Sequence, residues 1–209
     1  MSSAFVVALL GAESTGKTTL ANQLGASLAE RGHRVAVVPE FLREFCDRAG
    51  RTPRIDEQRG IAAEQTRRIA AAAERHDIVV ADTTALMIAV YSDHVFGDLG
   101  LYDDALAAHA SCHLTLLTAL DLPWQADGLQ RDGPHVRGPV DAKVRAALAR
   151  AALDCSVVFG QGAARLANAL AAVERARQPP EALAEARRWQ WVCERCGDAQ
   201  CERHWLPPL

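Results

Sequence analysis

Five short runs of consecutive apolar residues alternate along the chain with longer segments in which apolar residues recur every three or four positions. The runs occupy residues 5–10, 34–38, 78–82, 113–118 and 156–159. Short continuous apolar runs are typical of parallel strands buried on both faces, whereas the periodic segments are typical of amphipathic helices. The alternation predicts an α/β fold, with a parallel five-stranded sheet covered by helices on both faces.

The helical segments between these strands define the expected domain organisation. Helices are expected at residues 18–28, 40–49, 56–75, 84–95, 101–111, 141–153 and 163–177. The segment 121–139 is rich in Gly, Pro, Asp and Arg and is predicted to be a loop. Because two consecutive prolines follow residue 178, we expect a main domain over residues 1–178 and a small cysteine-rich C-terminal tail over residues 179–209.

The segment between the first strand and the first helix matches the phosphate-loop pattern G-x-x-x-x-G-K-[ST] at every fixed position. Backbone N–H groups of such a loop, and the positive end of the helix that follows, face a bound phosphate. Lys17 is expected to reach the outer phosphates, and the Thr18 hydroxyl to ligate Mg²⁺. The residues predicted to bind the nucleotide are Gly11, Glu13, Ser14, Thr15, Gly16, Lys17, Thr18 and Thr19. The sequence therefore predicts a P-loop NTPase fold.

Two carboxylates follow strands that end at the same edge of the predicted sheet, where ligands of such folds bind. Asp82 closes the third strand and is expected to hold Mg²⁺ or to accept a proton from a substrate hydroxyl. The alternative for Asp82 is an N-cap of the next helix. Glu40 follows the second strand and is expected to bind or deprotonate the accepting hydroxyl, or else to interact with the helix dipole.

Other side chains near this edge are candidates for substrate contact. Arg43 shares a helix face with Glu40, and the alternative for Arg43 is a solvated ion pair. Trp124 and Tyr91 are either packing anchors or stacking surfaces for a planar ring, while Phe96 is expected to pack in the helix core.

The predicted loop 121–139 has the composition of a lid over transferring phosphates, and the alternative is a solvated surface loop. Arginines in such a lid neutralise charge that builds in the transition state, and we expect Arg131, ahead of Arg137, to do so. After the fifth strand, Gln161 and Gly162 are expected to contact adenine through their backbone.

Four blocks of the chain together resemble the ribosylnicotinamide kinase domain of the bacterial NadR proteins. They are LGAESTGKT at 10–18, PEFLREF at 39–45, VADT at 80–83 and WQADGLQR at 124–131. The resemblance implies a kinase that uses ATP and Mg²⁺ to phosphorylate nicotinamide riboside to nicotinamide mononucleotide. It implies that Lys17 and Thr18 serve ATP and Mg²⁺, that Asp82 is the strand-end carboxylate, that Glu40 and Arg43 face the substrate, and that Arg131 belongs to the lid. Together with the candidates above, the expected catalytic residues are Lys17, Asp82, Glu40 and Arg131. The expected substrate contacts are Glu40, Arg43, Asp82, Tyr91, Trp124 and Asp127.

The chain also departs from full NadR proteins. It has no counterpart of their adenylyltransferase histidine motif or of their DNA-binding helices, so a free-standing kinase is expected. A pyridinium cation suits a pocket with carboxylates and aromatic faces, for which Glu40, Asp82, Asp93, Tyr91 and Trp124 are candidates. The alternatives are a kinase for another small alcohol or nucleoside, and a regulatory P-loop ATPase acting on a protein partner.

Charge and composition bear on nucleic-acid binding, membrane association and localisation. The chain has 209 residues and a net charge of −3, which does not favour nucleic-acid binding. It has neither an apolar run of membrane-spanning length nor a signal-peptide layout, so a cytoplasmic protein without a membrane partner is expected. The oligomeric state stays open. Cys46, Cys112 and Cys155 are expected to be buried reduced thiols.

The C-terminal tail contains a compact group of potential metal ligands. The group begins with a C-x-x-C motif and ends with a C-x-x-H motif. Its members are Cys193, Cys196, Cys201 and His204. Zn²⁺ accepts four such ligands tetrahedrally, and a short tail has little core of its own. We therefore expect a structural zinc knuckle; the alternatives are a redox-active C-x-x-C and a frayed tail with reduced thiols.

Overall fold

The structure, a computed structural model, describes residues 4–125 and 133–178. Its sheet is formed by β1 (Phe5–Leu10), β2 (Val35–Val38), β3 (Ile78–Asp82), β4 (Leu114–Thr118) and β5 (Ser156–Val158). The strand order is β2-β3-β1-β4-β5, and every neighbouring pair is parallel. The predicted five-stranded parallel sheet is confirmed, and β1, which carries the phosphate loop, lies at its centre.

Seven α-helices connect or follow these strands in the described residues. They are α1 (Lys17–Glu30), α2 (Phe41–Ala49), α3 (Gln58–Ala73), α4 (Ala85–Phe96), α5 (Tyr102–His109), α6 (Arg137–Arg150) and α7 (Gly162–Arg177). Short 3₁₀ turns at Ile55–Glu57 and Pro134–Val136 precede α3 and α6.

The start of α6 corrects the sequence prediction. Residues 121–139 were expected to form a loop, but α6 already begins at Arg137 and includes Gly138 and Pro139. Proline is tolerated in the first turn of a helix because the N–H that it lacks has no intrahelical acceptor there. The helix therefore starts four residues before the predicted residue, Asp141, and brings Arg137 into a fixed element.

Apolar side chains cover both faces of the sheet, as predicted. On one face, Leu20 and Leu24 of α1 and Val173 of α7 pack with Val7 and Leu9 of β1. The other face is covered mainly by α3, α4 and α6. Fully burying a leucine contributes roughly 1.5–3 kcal/mol, so these contacts fix the sheet beneath the phosphate loop.

The described cysteines have different environments. Cys46 is buried, as expected, and Cys112 is half-buried; burial raises the pKa of Cys112 to about 11. Cys155 is exposed, so its predicted burial is wrong. It lies in the short connection between α6 and β5, outside the helices and strands. The tail 179–209 and its four predicted zinc ligands lie outside the described residues. Within the described part of the chain, none of the helices has the length and apolar character needed to cross a bilayer.

Candidate active site

The phosphate loop connects β1 to α1 through backbone conformations that favour glycine. Gly11 has a φ of 148° and Gly16 a φ of 74°. A Cβ atom on Gly11 would lie 2.0 Å from Thr118 Oγ1, so a larger residue does not fit beside β4. Thr118 Oγ1 lies 2.7 Å from Thr15 Oγ1, and Thr15 Oγ1 donates to the Ala12 carbonyl oxygen at 2.7 Å. The loop is thus anchored to the end of β4.

Lys17, the first residue of α1, is buried across this loop. Its Nζ atom donates to the carbonyl oxygens of Gly11 and Ala12, at 2.9 Å each. Burial lowers the pKa of Lys17, whereas neighbouring carboxylates, with Glu40 and Asp82 foremost, oppose that shift. The Lys17 ammonium group is therefore held where the loop would receive a phosphate, with carboxylates nearby.

Asp82 ends β3 and is 2% exposed. Its Oδ1 atom is buried and has no hydrogen-bond partner among the described residues. The predicted alternative, a helix cap, is fulfilled by Thr84 instead, whose Oγ1 accepts from the N–H of Leu86 at 3.3 Å. A buried carboxylate oxygen without a donor is costly unless a cation or a proton donor satisfies it, so Asp82 is suited to a ligand.

Glu40 and Arg43 are brought together at the beginning of α2. Glu40 occupies the position before the helix, and its side chain makes no capping hydrogen bond. Its Oε2 atom lies 3.9 Å from Arg43 Nε. Both side chains line the same cavity as the phosphate loop.

That larger cavity has a volume of about 720 Å³. Phosphate-loop residues 13–19 line it, and so do Glu40, Arg43 and Gln58. Tyr91 and Phe96 of α4 also line it, so the cavity combines charged groups with aromatic rings. This composition suits a ligand with a phosphate-accepting group and a planar ring.

The position of Phe96 differs from the prediction. Phe96 was expected in the helix core, but it is 40% exposed and lines the larger cavity. It is the last residue of α4, and Gly97 ends the helix with a φ of 69°. At the end of the helix the side chain extends beyond the sheet core, toward the cavity that Tyr91 also lines.

Gln58 is a site residue that the sequence analysis missed. It is the first residue of α3, is 4% exposed and lines the larger cavity. The available signal was its spacing: Gln58, Ile61 and Gln65 fall on one helix face, and all three are buried. A polar residue on a buried stripe needs either a partner or a ligand.

A smaller cavity of about 390 Å³ also adjoins the phosphate loop. Ser14, Gly16 and Thr19 line both cavities. Gln161 and Gly162, predicted to contact adenine, line the smaller one. The two cavities therefore meet at the phosphate loop.

Three residues proposed from the sequence to contact the substrate, Asp82, Asp93 and Trp124, are not among the lining residues of either cavity. Trp124 is half-buried. Asp93 accepts hydrogen bonds from Tyr102 at 2.9 Å and from Lys143 at 2.7 Å. Asp93 thus joins α4 to α5 and α6, and the structure gives it a packing role.

The loop arginines divide between described and undescribed segments. Arg137 is buried, and its Nη1 donates to the Leu122 carbonyl oxygen at 2.9 Å. Its Nε and Nη2 atoms have no hydrogen-bond partner in the described ranges. Arg131 and Asp127 lie outside the described residues, so their roles stay predictions.

The donor set near the loop fits Mg²⁺. The Thr18 side chain is exposed at the larger cavity, and Asp82 provides a buried carboxylate oxygen without a partner. Hydroxyl and carboxylate oxygens are the ligands that Mg²⁺ prefers, usually together with water and phosphate oxygens. Across residues 4–125 and 133–178, no group of three or more His, Cys, Asp or Glu side chains could hold a metal by itself.

Comparison with solved structures finds the same fold in two NadR complexes. NadR in complex with NAD and AMP-PNP aligns with a TM-score of 0.67 and 20% identity, and NadR in complex with NR with a TM-score of 0.68 and 20% identity. Each alignment covers 82% of this chain and 49% of the NadR chain, so the chain spans about half the length of those proteins. The predicted resemblance to the NadR kinase domain is confirmed for the fold.

Thymidylate kinase from Ehrlichia chaffeensis is also similar, with a TM-score of 0.60 and 14% identity over 83% of this chain and 99% of that one. No curated protein sequence matches. Residues 6–165 match the family described as an AAA domain. The matched range includes the sheet, the phosphate loop and the residues after the strands that line the two cavities. Since this match includes most of the chain, the protein belongs to the AAA domain family, with a P-loop NTPase fold.

Proposed function

We propose that the chain is an ATP-dependent kinase that phosphorylates a nucleoside, and that its acceptor is nicotinamide riboside, which becomes nicotinamide mononucleotide. The observation that carries this proposal is the pair of cavities that share the phosphate loop. A phosphoryl transferase needs its donor and acceptor on opposite sides of the transferred group. An ATPase without an acceptor needs only the site for the phosphate donor.

The smaller cavity is assigned to the adenine end of ATP. Its wall at Gln161 and Gly162 follows β5, at the carboxyl edge of the sheet. From there, the phosphates would pass along Ser14 and Gly16 towards Lys17, which lines the larger cavity. Lys17 would exchange its two loop carbonyls for phosphate oxygens and neutralise part of their charge. AMP-PNP in a NadR complex supports ATP as the nucleotide.

The larger cavity is assigned to the acceptor. Tyr91 and Phe96 provide aromatic faces for the pyridinium ring, and a cation over such a face is stabilised by about 0.5–2 kcal/mol per ring. Glu40 adds negative charge on the same wall. The NadR complex with NR supports this choice of acceptor.

Glu40 is assigned as the proton acceptor, because it lines the acceptor cavity whereas Asp82 is buried beside Lys17. The riboside 5′-hydroxyl oxygen bonds to the γ-phosphorus of ATP, and the bond from that phosphorus to the β,γ-bridging oxygen breaks. ADP leaves with that oxygen, and the hydroxyl proton passes to Glu40. Mg²⁺ bound at Thr18 and Asp82 would supply neutralising charge to the phosphate oxygens. The Arg131 and Arg137 guanidinium groups are assigned to the same transition-state charge.

The test is ADP release with ATP and Mg²⁺ in the presence of nicotinamide riboside, thymidine, uridine and thymidine monophosphate in turn, with product masses determined. We expect nicotinamide mononucleotide in equal amount to ADP. Phosphorylation of another acceptor alone would refute the riboside assignment but retain the kinase. ADP release that no acceptor alters would instead favour the ATPase.

A further inference from the structure

Gln58 lines the acceptor cavity and has an amide oxygen without a hydrogen-bond partner among the described residues. The side chain is 4% exposed, and this oxygen, Oε1, is buried. A buried amide oxygen that lacks a donor lowers stability, and most such groups in proteins are paired. A ligand in this cavity would supply the missing partner.

Gln65 lies on the same helix face as Gln58, and its amide is fully used in hydrogen bonds within the fold. Its Oε1 accepts from the backbone N–H of Phe41 at 2.7 Å. Its Nε2 donates to the carbonyl oxygens of Pro39 and Thr83, at 3.3 Å each. Gln65 therefore joins α3 to the segments after β2 and β3. Gln58, two turns earlier, makes no such connection through Oε1, so its burial is not explained by the fold.

We infer that Gln58 recognises the carboxamide of the pyridinium ring, an inference that rests on the proposed function. A primary carboxamide has N–H donors and a carbonyl acceptor, and so does the side chain of glutamine. The two groups can form a pair of parallel hydrogen bonds. With the ring against Tyr91 or Phe96, Gln58, which lines the same cavity, would bind the ring substituent.

This contact makes the site selective for the amide. A ring without the substituent leaves Gln58 Oε1 unpaired, and a carboxylate in its place has no N–H to donate to that oxygen. Sites that bury a polar group discriminate strongly against ligands that leave it unpaired. Gln58 is therefore a specificity-determining residue that should affect binding of the acceptor more than the phosphoryl transfer step.

The experiment compares kcat/KM for nicotinamide riboside with that for ribosylpyridinium, which lacks the carboxamide, and for nicotinic acid riboside. In the wild type, we expect a preference of about tenfold or more for nicotinamide riboside over ribosylpyridinium, the size of one net hydrogen bond. Gln58→Leu should reduce that preference to about threefold or less, chiefly through a higher KM for nicotinamide riboside, while ribosylpyridinium is used as before.

Two further variants make the result specific. Gln58→Glu keeps an acceptor at this position, so it should retain a preference for the amide and use nicotinic acid riboside worse than the wild type does. Gln23→Leu is the matched control, because Gln23 lines only the smaller cavity. It should leave the ratio between the acceptors unchanged. If Gln58→Leu does not fold, as judged by its thermal transition, Gln58→Glu alone supplies the comparison.

The outcomes separate this inference from the proposed function. If the wild type phosphorylates nicotinamide riboside and Gln58→Leu keeps the full preference for the amide, the role of Gln58 is refuted and the kinase assignment stands. If the wild type transfers phosphate to none of the ribosides, both are refuted.

Discussion

The Nη2 atom of Arg165 lies 2.6 Å from the carbonyl oxygen of Thr15, so a guanidinium on α7 donates directly to the phosphate loop. Its Nη1 atom lies 3.1 Å from both Asp121 Oδ1 and the Gly160 carbonyl oxygen. Arg165 is 5% exposed and thus connects the loop with the residues that follow β4 and β5. It is a positioning residue, because it holds the backbone that would bind phosphate.

Replacement of Arg165 by leucine is expected to weaken ATP binding and to lower the free energy of unfolding by about 1–3 kcal/mol. The reason is that the Thr15 carbonyl and the Asp121 carboxylate lose a donor. Urea unfolding and the KM for ATP measure the two effects. Arg165→Lys keeps the positive charge but lacks the several N–H donors of the guanidinium group. It should therefore recover only part of the ATP affinity and part of the stability. Unchanged ATP affinity in Arg165→Leu would show that the contact only stabilises the fold.

Lys17→Ala is expected to lower kcat by at least about 10²-fold while the protein remains folded, because Lys17 would stabilise charge on the transferred phosphoryl group. The matched control is Lys143→Ala, since Lys143 pairs with Asp93 in the helix layer. Steady-state ADP release and circular dichroism are the measurements. Near-normal turnover of Lys17→Ala would remove the basis of the kinase assignment.

Asp82→Asn and Glu40→Gln are expected to separate two roles of the strand-end carboxylates. Loss of a general base or metal carboxylate typically lowers rates by about 10²–10⁴-fold. Asp82→Asn should also raise the Mg²⁺ concentration needed for half-maximal rate, because its buried Oδ1 is assigned to the metal. Glu40→Gln should leave that concentration unchanged. Mg²⁺ titrations of both variants test the assignment. If only Glu40→Gln raised the Mg²⁺ requirement, Glu40 would be the metal ligand and Asp82 the proton acceptor.

The tail prediction is tested by metal analysis under reducing conditions. We expect one equivalent of Zn²⁺ per chain, with Cys193, Cys196, Cys201 and His204 as ligands. Cys193→Ser should lose the metal, whereas Cys155→Ser, which replaces an exposed thiol outside the tail, should retain it. Less than stoichiometric zinc, together with free alkylation of Cys193 in the native protein, would contradict the prediction.

Local patterns were sufficient to predict the sheet, the phosphate loop and the strand-end carboxylates. Each depends on residues adjacent in sequence: a buried strand, then a glycine or a carboxylate, then a helix. The environment of Phe96 was not predictable in this way, because helical periodicity does not say how far α4 extends beyond the sheet. Gln58 is of interest because no donor from a distant part of the described chain lies within hydrogen-bond distance of its Oε1. A local sequence pattern does not contain that information.

Two other outcomes have the same origin. The helix-cap alternative for Asp82 was a fair expectation, since aspartate is a favoured cap, but Thr84 is two residues nearer to the start of α4. Asp93 offered a charge on the expected helix, yet Lys143, fifty residues away in sequence, pairs with it. In both cases a competing partner determined the role.

A buried histidine network predicts how stability depends on pH. His109 is 2% exposed, and its two ring nitrogens lie 2.9 Å from Thr84 Oγ1 and from Thr115 Oγ1. Burial lowers the pKa of His109 to about 4, from 6.5 in the unfolded chain. As the pH falls below 6.5 the unfolded state takes up a proton that the folded state does not, so this contribution to stability is complete above 6.5 and is lost towards pH 4.

The loss attributable to His109 is about 3 kcal/mol across this range, from 1.36 kcal/mol per pKa unit. Urea unfolding at pH 7.0, 5.5 and 4.5 should therefore give free energies of unfolding that fall more steeply for the wild type than for His109→Gln. The glutamine keeps a donor and an acceptor between the two threonines but does not titrate. His135→Gln is the matched control, because it replaces an exposed histidine and should leave the wild-type slope intact. Equal slopes for the wild type and His109→Gln would show that His109 is not responsible for the pH dependence.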